Sequence, residues 1–196
     1  MIKNEQNEQN EQNEQNKQNI KNNLTLFNNT QKLEHYNIRP TFYYNTEQIR
    51  AGGVIYYKKN LKQVELLLSY TNNKFEDFGG KTDPKDKSII DTISRELCEE
   101  TNAIIDEICF IDTYNLPNTQ IIYFKNSKYL LYIVEANDYI ANLNTYDFGN
   151  YETYNNTVRT IMWINVNKFL NDDVQKFYVN MRLKNSYKLI NILNNL

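Results

Sequence analysis

The chain has 196 residues, a net charge of −2 and a sequence pI near 5.6. This length suffices for one domain with a proper core and additional segments. The acidic balance argues against a protein whose main work is to coat nucleic acid. No apolar run approaches the ~18 residues of a membrane span and no signal peptide is recognisable, so we expect an intracellular, cytoplasmic protein without membrane contact. Cys98 and Cys109 lack metal-ligand spacing and favour a reducing compartment.

The N-terminal segment is of low complexity. Residues 4–19 repeat the triplet Asn-Glu-Gln four times and end in the variant Asn-Lys-Gln. A polar three-residue repeat cannot bury a face, so we expect residues 1–35 to be a disordered tail, with a tethering or sorting role as the alternative. The single histidine, His35, falls in this tail and is not expected to be catalytic.

Ordered structure is predicted to begin near Tyr43. Residues 50–58 and 63–70 are rich in apolar and aromatic side chains and predict two strands, with a turn at residues 58–60. Residues 75–78 predict a short strand that leads directly into two glycines.

The most informative stretch is residues 79–102, GGKTDPKDKSIIDTISRELCEETN. Its second half predicts a helix, because Ser88 is a suitable N-cap and Asn102 can adopt the left-handed conformation of a C-terminal cap. The helix also has apolar residues at three- and four-residue spacing. These are Ile89, Ile90, Ile93 and Leu97.

Three carboxylates lie on one side of this predicted helix. At roughly 100° per residue, Glu96, Glu99 and Glu100 fall within about 100° of one another, and Glu100 lies almost on the apolar stripe. Like charges at this spacing repel, and a buried unpaired carboxylate is costly, so a positive group is expected beside them. Oxygen ligands without Cys or His suit a hard cation such as Mg²⁺ or Mn²⁺.

The stretch resembles the Nudix box, which consists of a glycine, a loop with an acid, and then Arg-Glu-apolar-x-Glu-Glu-x-Gly-apolar. Gly80 matches the first glycine, and Gly79 and Lys81 match the usual residues around it. The matching helix residues are Arg95, Glu96, Leu97, Glu99 and Glu100.

This sequence departs from the box in three places. The loop between the glycine and the arginine is one residue longer, and its acid is Asp86 or Asp83 instead of glutamate. Asn102 and Ala103 replace the final glycine and the large apolar residue. We interpret these changes as drift, because loop length is cheap and asparagine can hold the conformation that the glycine requires.

The resemblance implies the Nudix α/β/α sandwich, an α/β fold with a mixed β-sheet, over residues 43–172. We expect residues 173–196 to form a C-terminal helix that packs on this domain. The implied activity is Mg²⁺- or Mn²⁺-dependent hydrolysis of a small-molecule diphosphate, usually a nucleoside diphosphate linked to another group.

The resemblance also implies roles for the box residues. Glu99 and Glu100 would be the principal metal ligands, the carbonyl of Gly80 would complete the set, and Glu96 would be a third ligand or the catalytic base. Arg95 would hold a box glutamate in its rotamer, a supporting catalytic role. Lys81, the residue after the glycines, could reach a substrate phosphate.

In some family members the catalytic base is a glutamate from a later loop. Glu152 is the candidate here, with Asp147 and Glu135 as the other acids of that part of the chain. Nothing in the sequence fixes the direction of Glu152, so a solvated loop acid is the alternative interpretation.

The remaining elements are predicted from local patterns. Strands are expected at residues 107–113, 120–125, 128–135 and 158–164, with a turn at residues 126–127. Residues 137–156 should be irregular, and helices are expected at residues 166–170 and 179–193. Four aromatic residues of the irregular segment could stack a base, or only reflect a tyrosine-rich chain. They are Tyr146, Phe148, Tyr151 and Tyr154.

Other functions remain open from sequence. Hydrolysis of an mRNA cap, with capped RNA as the partner, or of a diphosphoinositol polyphosphate would need a basic groove. The basic residues available near the C-terminus are Lys176, Arg182, Lys184 and Lys188. A non-catalytic Nudix-fold module that binds a nucleotide is the hypothesis from another class, and the sequence does not decide the oligomeric state.

Overall fold

The structure is a computed structural model, and it describes residues 39–60, 63–184 and 186–196. The predicted tail at residues 1–35, with its repeats and His35, lies outside the described residues. Among the helices that are described, none has the length and apolar character needed to cross a membrane.

The centre of the domain is a mixed sheet of seven strands. Its strands are β3 (Ala51–Asn60), β4 (Gln63–Thr71), β5 (Lys74–Glu76), β6 (Phe78–Lys81), β7 (Gln120–Phe124), β8 (Tyr129–Glu135) and β9 (Thr160–Asn165). The order is β5-β4-β3-β8-β7, with β6 paired to β3 and β9 paired to β4. Only the β3–β8 pairing is parallel among these strands. A separate antiparallel pair, β1 (Phe42–Tyr44) and β2 (Glu47–Ile49), precedes the sheet.

Six α-helices are present in the described part of the chain. They are α1 (Ile89–Glu100), α2 (Glu107–Thr113), α3 (Asp138–Ala141), α4 (Val166–Phe169), α5 (Asp172–Tyr178) and α6 (Tyr187–Asn194). Two short 3₁₀ turns, Lys125–Ser127 and Thr145–Phe148, lie between strands. The predicted caps of α1 are confirmed: the Ser88 side chain accepts a hydrogen bond from the Asp91 amide, and Asn102 has a φ of 57°.

The sheet separates two apolar layers, because successive side chains of a strand point to opposite faces. On β3, Val54 and Tyr56 pack with the layer that contains Ile93 and Leu97 of α1. The intervening residues of β3 pack with α4 and α6 on the other face. This arrangement confirms the predicted α/β/α sandwich with a mixed sheet.

The expected strand at residues 107–113 is wrong, because this segment is helix α2. The Asp106 side chain accepts a hydrogen bond from the Cys109 amide at 2.9 Å and caps the helix N-terminus. Phe110 and Thr113 are three residues apart and both buried, which is the spacing of a helix face.

The C-terminal part also differs from the sequence prediction. The single helix expected at residues 179–193 is wrong, because Val179 forms a bridge with Phe75 and α6 begins only at Tyr187, after the Ser186 cap. Helix α5 was not predicted, although Asn171 caps it through its side chain. Residues 58–60 continue β3 and do not turn, and residues 137–156 include α3 and a 3₁₀ turn.

Candidate active site

Gly80 of β6 allows α1 to approach the sheet closely. Strand β6 runs antiparallel to β3, with Gly79 opposite Gly53 and Gly80 opposite Gly52. A Cβ atom built on Gly80 would lie 2.3 Å from the carboxyl carbon of Glu96, a separation that real Cβ atoms do not show. Glycine at this position therefore places the main chain of β6 directly beside a box carboxylate.

Arg95 connects the loop, the helix and the strand. Its Nε and Nη2 atoms donate to the two carboxylate oxygens of Asp86 at 3.1 and 3.2 Å, a two-pronged pair that fixes the plane of the guanidinium. Its Nη1 donates to Glu96 Oε1 at 3.0 Å and to Glu99 Oε2 at 3.3 Å. Nη2 also donates to the carbonyl of Lys81 at 3.1 Å. The expected pairing of Arg95 with a box glutamate is present, and it includes two of them.

The structure selects Asp86 as the loop acid that meets Arg95. The Asp86 side chain also accepts hydrogen bonds from the Asp83 amide and the Thr92 hydroxyl, both at 2.7 Å. Burial alone would raise the pKa of Asp86, but hydrogen bonds from Arg95, Asp83 and Thr92 outweigh it and lower the pKa. Asp83, the other candidate, accepts instead from the Lys85 amide.

Glu100 differs from its two neighbours in having no cationic partner among the described residues. Its carboxylate accepts a hydrogen bond from the Gly79 amide at 3.1 Å. Burial, together with the charges of Asp77, Glu96 and Glu152, raises the pKa of Glu100 well above its usual range. The carboxylate predicted to lie on the apolar stripe is therefore held with little to neutralise it.

Glu152 is folded against the box and is not a solvated loop acid. It is 7 % exposed. Burial raises the pKa of Glu152, a hydrogen bond with Asn155 and the charge of Arg159 oppose that rise, and the charge of Glu99 adds to it. Glu152 in turn contributes to the raised pKa of Glu100, so these acids feel one another's charge.

The two other acids of this region are engaged elsewhere. Asp147 accepts a hydrogen bond from the Asn144 amide at 2.6 Å and caps a 3₁₀ turn. Glu135 accepts from the Tyr57 hydroxyl and from Asn118. Glu152 is therefore the candidate from the later part of the chain that the structure brings to the box.

Arg159 is a buried cation near these acids that no sequence pattern indicates. It is 3 % exposed, and its guanidinium donates only to main-chain carbonyls, of Phe148 and Gly149, at 3.3–3.4 Å. Its Nε has no partner among the described residues. Burial lowers the pKa of Arg159, and the charges of Glu152 and Glu100 oppose this. An isolated arginine before a strand carries no sequence pattern that would have marked it.

Lys81 and the aromatic residues lie at different depths. Lys81 is exposed beside the glycines. Phe148 is 1 % exposed and belongs to the core, so the expectation that it stacks a base is wrong. Tyr146, Tyr151 and Tyr154 are exposed, so burial does not prevent them from stacking a base.

The strand order and the box geometry together decide the fold. The structure has a parallel β3–β8 pair, a glycine strand beside β3, and a helix whose arginine and glutamates face that strand. The chain therefore has the α/β/α sandwich and the box arrangement that the resemblance to the Nudix box implies. The box, matched by the identity and spacing of its residues, forms one connected cluster despite its longer loop and its altered end.

Solved structures similar to this one include Nudix proteins of low sequence identity. An Ap4A hydrolase from C. elegans in a binary complex is 14% identical, with 74% of this chain and 94% of that chain covered and a TM-score of 0.45. A Nudix hydrolase from Listeria monocytogenes is 16% identical, with coverages of 76% and 96% and a TM-score of 0.44. The Nudix domain of Shewanella oneidensis NrtR with ADP ribose is 14% identical, with coverages of 78% and 89% and a TM-score of 0.41. No family model and no curated protein matches the sequence.

The donor set of this box fits a hard divalent cation. Carboxylates and a main-chain carbonyl are the ligands that Mg²⁺ and Mn²⁺ prefer, and no thiolate or imidazole is mixed with them. Within residues 39–60, 63–184 and 186–196, no three His, Cys, Asp or Glu side chains converge as a ready-made metal site. Glu96 and Glu99 instead share the charge of Arg95, and Glu100 turns to the Gly79 amide.

Proposed function

We propose that this protein is a divalent-cation-dependent Nudix pyrophosphohydrolase that cleaves a diphosphate bond in a nucleoside diphosphate linked to another group. The observation that supports this most is the grouping of Glu96, Glu99 and Glu100 against the glycine strand, with more acid than base around them. The proposed catalytic domain is residues 43–172, with residues 173–196 packed on it.

The proposed cation is Mg²⁺ or Mn²⁺, held by Glu96, Glu99, Glu100 and the carbonyl of Gly80. When bound, such an ion neutralises phosphate oxygens and lowers the pKa of a bound water. The chain itself supplies the positioning. Arg95 fixes Glu96 and Glu99 through one nitrogen, and its two-pronged pair with Asp86 keeps that nitrogen in place.

We favour Glu152 over Glu96 as the catalytic base. Burial raises the pKa of Glu96 as well as that of Glu152, but Glu96 is held in an ion pair with Arg95 at 3.0 Å and is therefore less free to accept a proton. Glu152 is buried near Glu99 and Glu100 and has no ion pair within the described residues. An unpaired carboxylate with a raised pKa suits a group that takes a proton from an attacking water.

Two cations complete the proposed site. Arg159 is buried close to Glu152 and Glu100 and keeps one nitrogen without a partner, so it can offset charge that a substrate phosphate brings. Lys81 is exposed beside the glycines and is the proposed contact to an outer phosphate.

The runner-up substrates, capped RNA and diphosphoinositol polyphosphates, gain no specific support. Arg182 is paired with the buried Asp77, and Lys184 donates to the carbonyl of Lys176. Lys188 lines a cavity of about 610 Å³ together with Lys125, next to β7 and not next to α1. Both substrates nevertheless belong in the test, because the site geometry does not select the leaving group.

The deciding experiment measures phosphate or nucleotide release with Mg²⁺ or Mn²⁺ across a panel of diphosphate compounds. The panel contains nucleoside triphosphates, nucleotide sugars including ADP-ribose, dinucleoside polyphosphates, capped RNA and an inositol pyrophosphate. We expect Glu100→Gln to lower kcat/KM about 100-fold or more. Substitution of a residue that only supports a metal ligand typically has a smaller effect.

Glu107→Gln is the matched control, because Glu107 is an exposed glutamate on the next helix. It should leave kcat/KM unchanged. A folded protein that hydrolyses no compound of the panel, with or without cation, would reject the hydrolase and favour the non-catalytic binding module. Equal activity of the intact protein and Glu100→Gln would reject the assignment of the site.

A further inference from the structure

Asn102 stands where the Nudix box ends in glycine, and its backbone does what that glycine would do. It has a φ of 57°, and Ala103 follows at 59°. The Asn102 amide bonds to the Glu99 carbonyl and the Ala103 amide to the Cys98 carbonyl, which closes the helix end. Glycine would adopt this conformation at less cost, so the backbone does not explain the choice of asparagine.

All four hydrogen bonds of the Asn102 side chain are made with one loop. Its Nδ2 donates to the carbonyls of Phe148 and Tyr151 at 3.0 and 2.9 Å. Its Oδ1 accepts from the Thr153 amide at 2.8 Å and from the Thr153 hydroxyl at 3.0 Å. The amide group has two donor hydrogens and two acceptor lone pairs, so no capacity is left over.

The clamped loop carries Glu152 between two of the residues that Asn102 holds. Within the loop, the Glu152 amide bonds to the Thr157 carbonyl, and Tyr151 forms a bridge with Val158. These bonds shape the loop but do not attach it to the box helix. In the described part of the chain, the hydrogen bonds of Asn102 join the end of the box helix to the loop of Glu152.

We propose that Asn102 is a positioning residue that holds the loop of residues 148–153, and with it Glu152, beside the glutamates of the box. The effect of this clamp on catalysis rests on the proposed function. The hydrogen bonds that form the clamp do not depend on it. A misplacement of about 1 Å can cost on the order of 100-fold in rate, so a base on a loop needs such an anchor. A glycine at this position offers no side chain to provide one.

The first test is amide hydrogen exchange of the loop in the Asn102→Gly variant. Glycine keeps the left-handed backbone, so the change removes the side chain without straining the helix end. We expect the Thr153 amide to exchange about tenfold faster or more, the effect of losing one hydrogen bond. Asn73→Gly is the matched control, because Asn73 is an exposed asparagine with a φ of 60° in the β4–β5 turn. Equal exchange at Thr153 in all three proteins would overturn the clamp.

The second test is a double-mutant cycle on kcat with Glu152→Gln, using the best substrate of the panel. If Asn102 acts through Glu152, Asn102→Gly should lower kcat about tenfold in the intact background and less than about twofold in the Glu152→Gln background. A general loosening of the fold would lower both equally, and that result would overturn the positioning role. If the protein hydrolyses nothing, the proposed function fails while the exchange experiment still decides on the clamp.

Discussion

Two groups of acids lie on the two sides of the β3–β6 pair, and they are compensated differently. On the side of α6, the fully buried Asp77 carboxylate pairs with Arg182 at 2.5 Å and accepts a hydrogen bond from the Tyr129 hydroxyl at 2.5 Å. The Arg182 guanidinium also lies over the Tyr129 ring, 3.7 Å from its centre. On the side of α1, Glu96 and Glu99 share one arginine, and Glu100 has only a main-chain amide.

The difference separates an acid that holds the structure from acids that we propose serve a ligand. A buried carboxylate is stable when a cation and further hydrogen bonds replace its hydration, which is how Asp77 is held. Glu100 and Glu152 lack an ion pair among the described residues, and burial raises the pKa of both. Selection for stability alone would not retain that arrangement, so the excess acid of the box supports the proposed site for a cation.

The largest expected effect is on stability, from Arg182→Met. Removing the guanidinium leaves Asp77 buried without a cation, which should lower the free energy of unfolding by about 3 kcal/mol. We take the lower end of the usual range because the Arg182 side chain is 25% exposed. Urea unfolding of the purified variant measures the change.

Lys188→Met is the control for this variant, since it removes an exposed cation from the same C-terminal region. It should change the free energy of unfolding by less than about 0.5 kcal/mol. Similar values for both variants would mean that Asp77 does not need its arginine, and the comparison between the two groups of acids would fail.

A smaller effect is expected from Gly53→Ala, which adds a methyl group beside Asp77 and Tyr129. Its Cβ would lie 2.0 Å from the Tyr129 hydroxyl and 2.5 Å from Asp77 Oδ2 and the Phe78 carbonyl. The overpacking should lower the free energy of unfolding by about 2 kcal/mol, as measured by urea unfolding.

Tyr129→Phe tests the cause of that loss, because it removes the nearest atom that the new methyl group meets. In the Tyr129→Phe background, Gly53→Ala should cost measurably less than in the intact protein. The Phe78 carbonyl remains in place, so rescue should be partial. Equal costs in both backgrounds would show that the hydroxyl does not set the fit.

The box could be predicted from sequence because its residues are close along the chain. Arg95, Glu96 and Glu99 are on one helix, and the spacing of that helix determines which of them share a face. The pair of Asp77 with Arg182 spans 105 residues and has no local pattern. Arg159 and the side-chain role of Asn102 also depend on a loop whose course only the tertiary structure shows.

Some errors had local causes that the sequence did contain. The apolar character of residues 107–113 predicts a strand, although Asp106 is a regular helix N-cap two residues before Ile108. A short apolar run can form either a strand or a helix, and the N-cap at Asp106 favours the helix. Helix α5 also has a local start signal, because Asn171 and the acids after it are typical of a helix N-terminus.

The smallest expected effect is the change in the free energy of unfolding of Glu100→Gln without added cation. Its sign is the informative quantity. Because no cation pairs with Glu100, the neutral amide should lose little interaction and avoid the desolvation of a charge. We expect the free energy of unfolding to stay the same or rise by up to about 1 kcal/mol, while activity falls. Asp77→Asn should destabilise the protein instead, since its carboxylate is paired. If both variants lost stability to the same extent, Glu100 would be a structural acid like Asp77, and the site for a cation would have to be sought elsewhere.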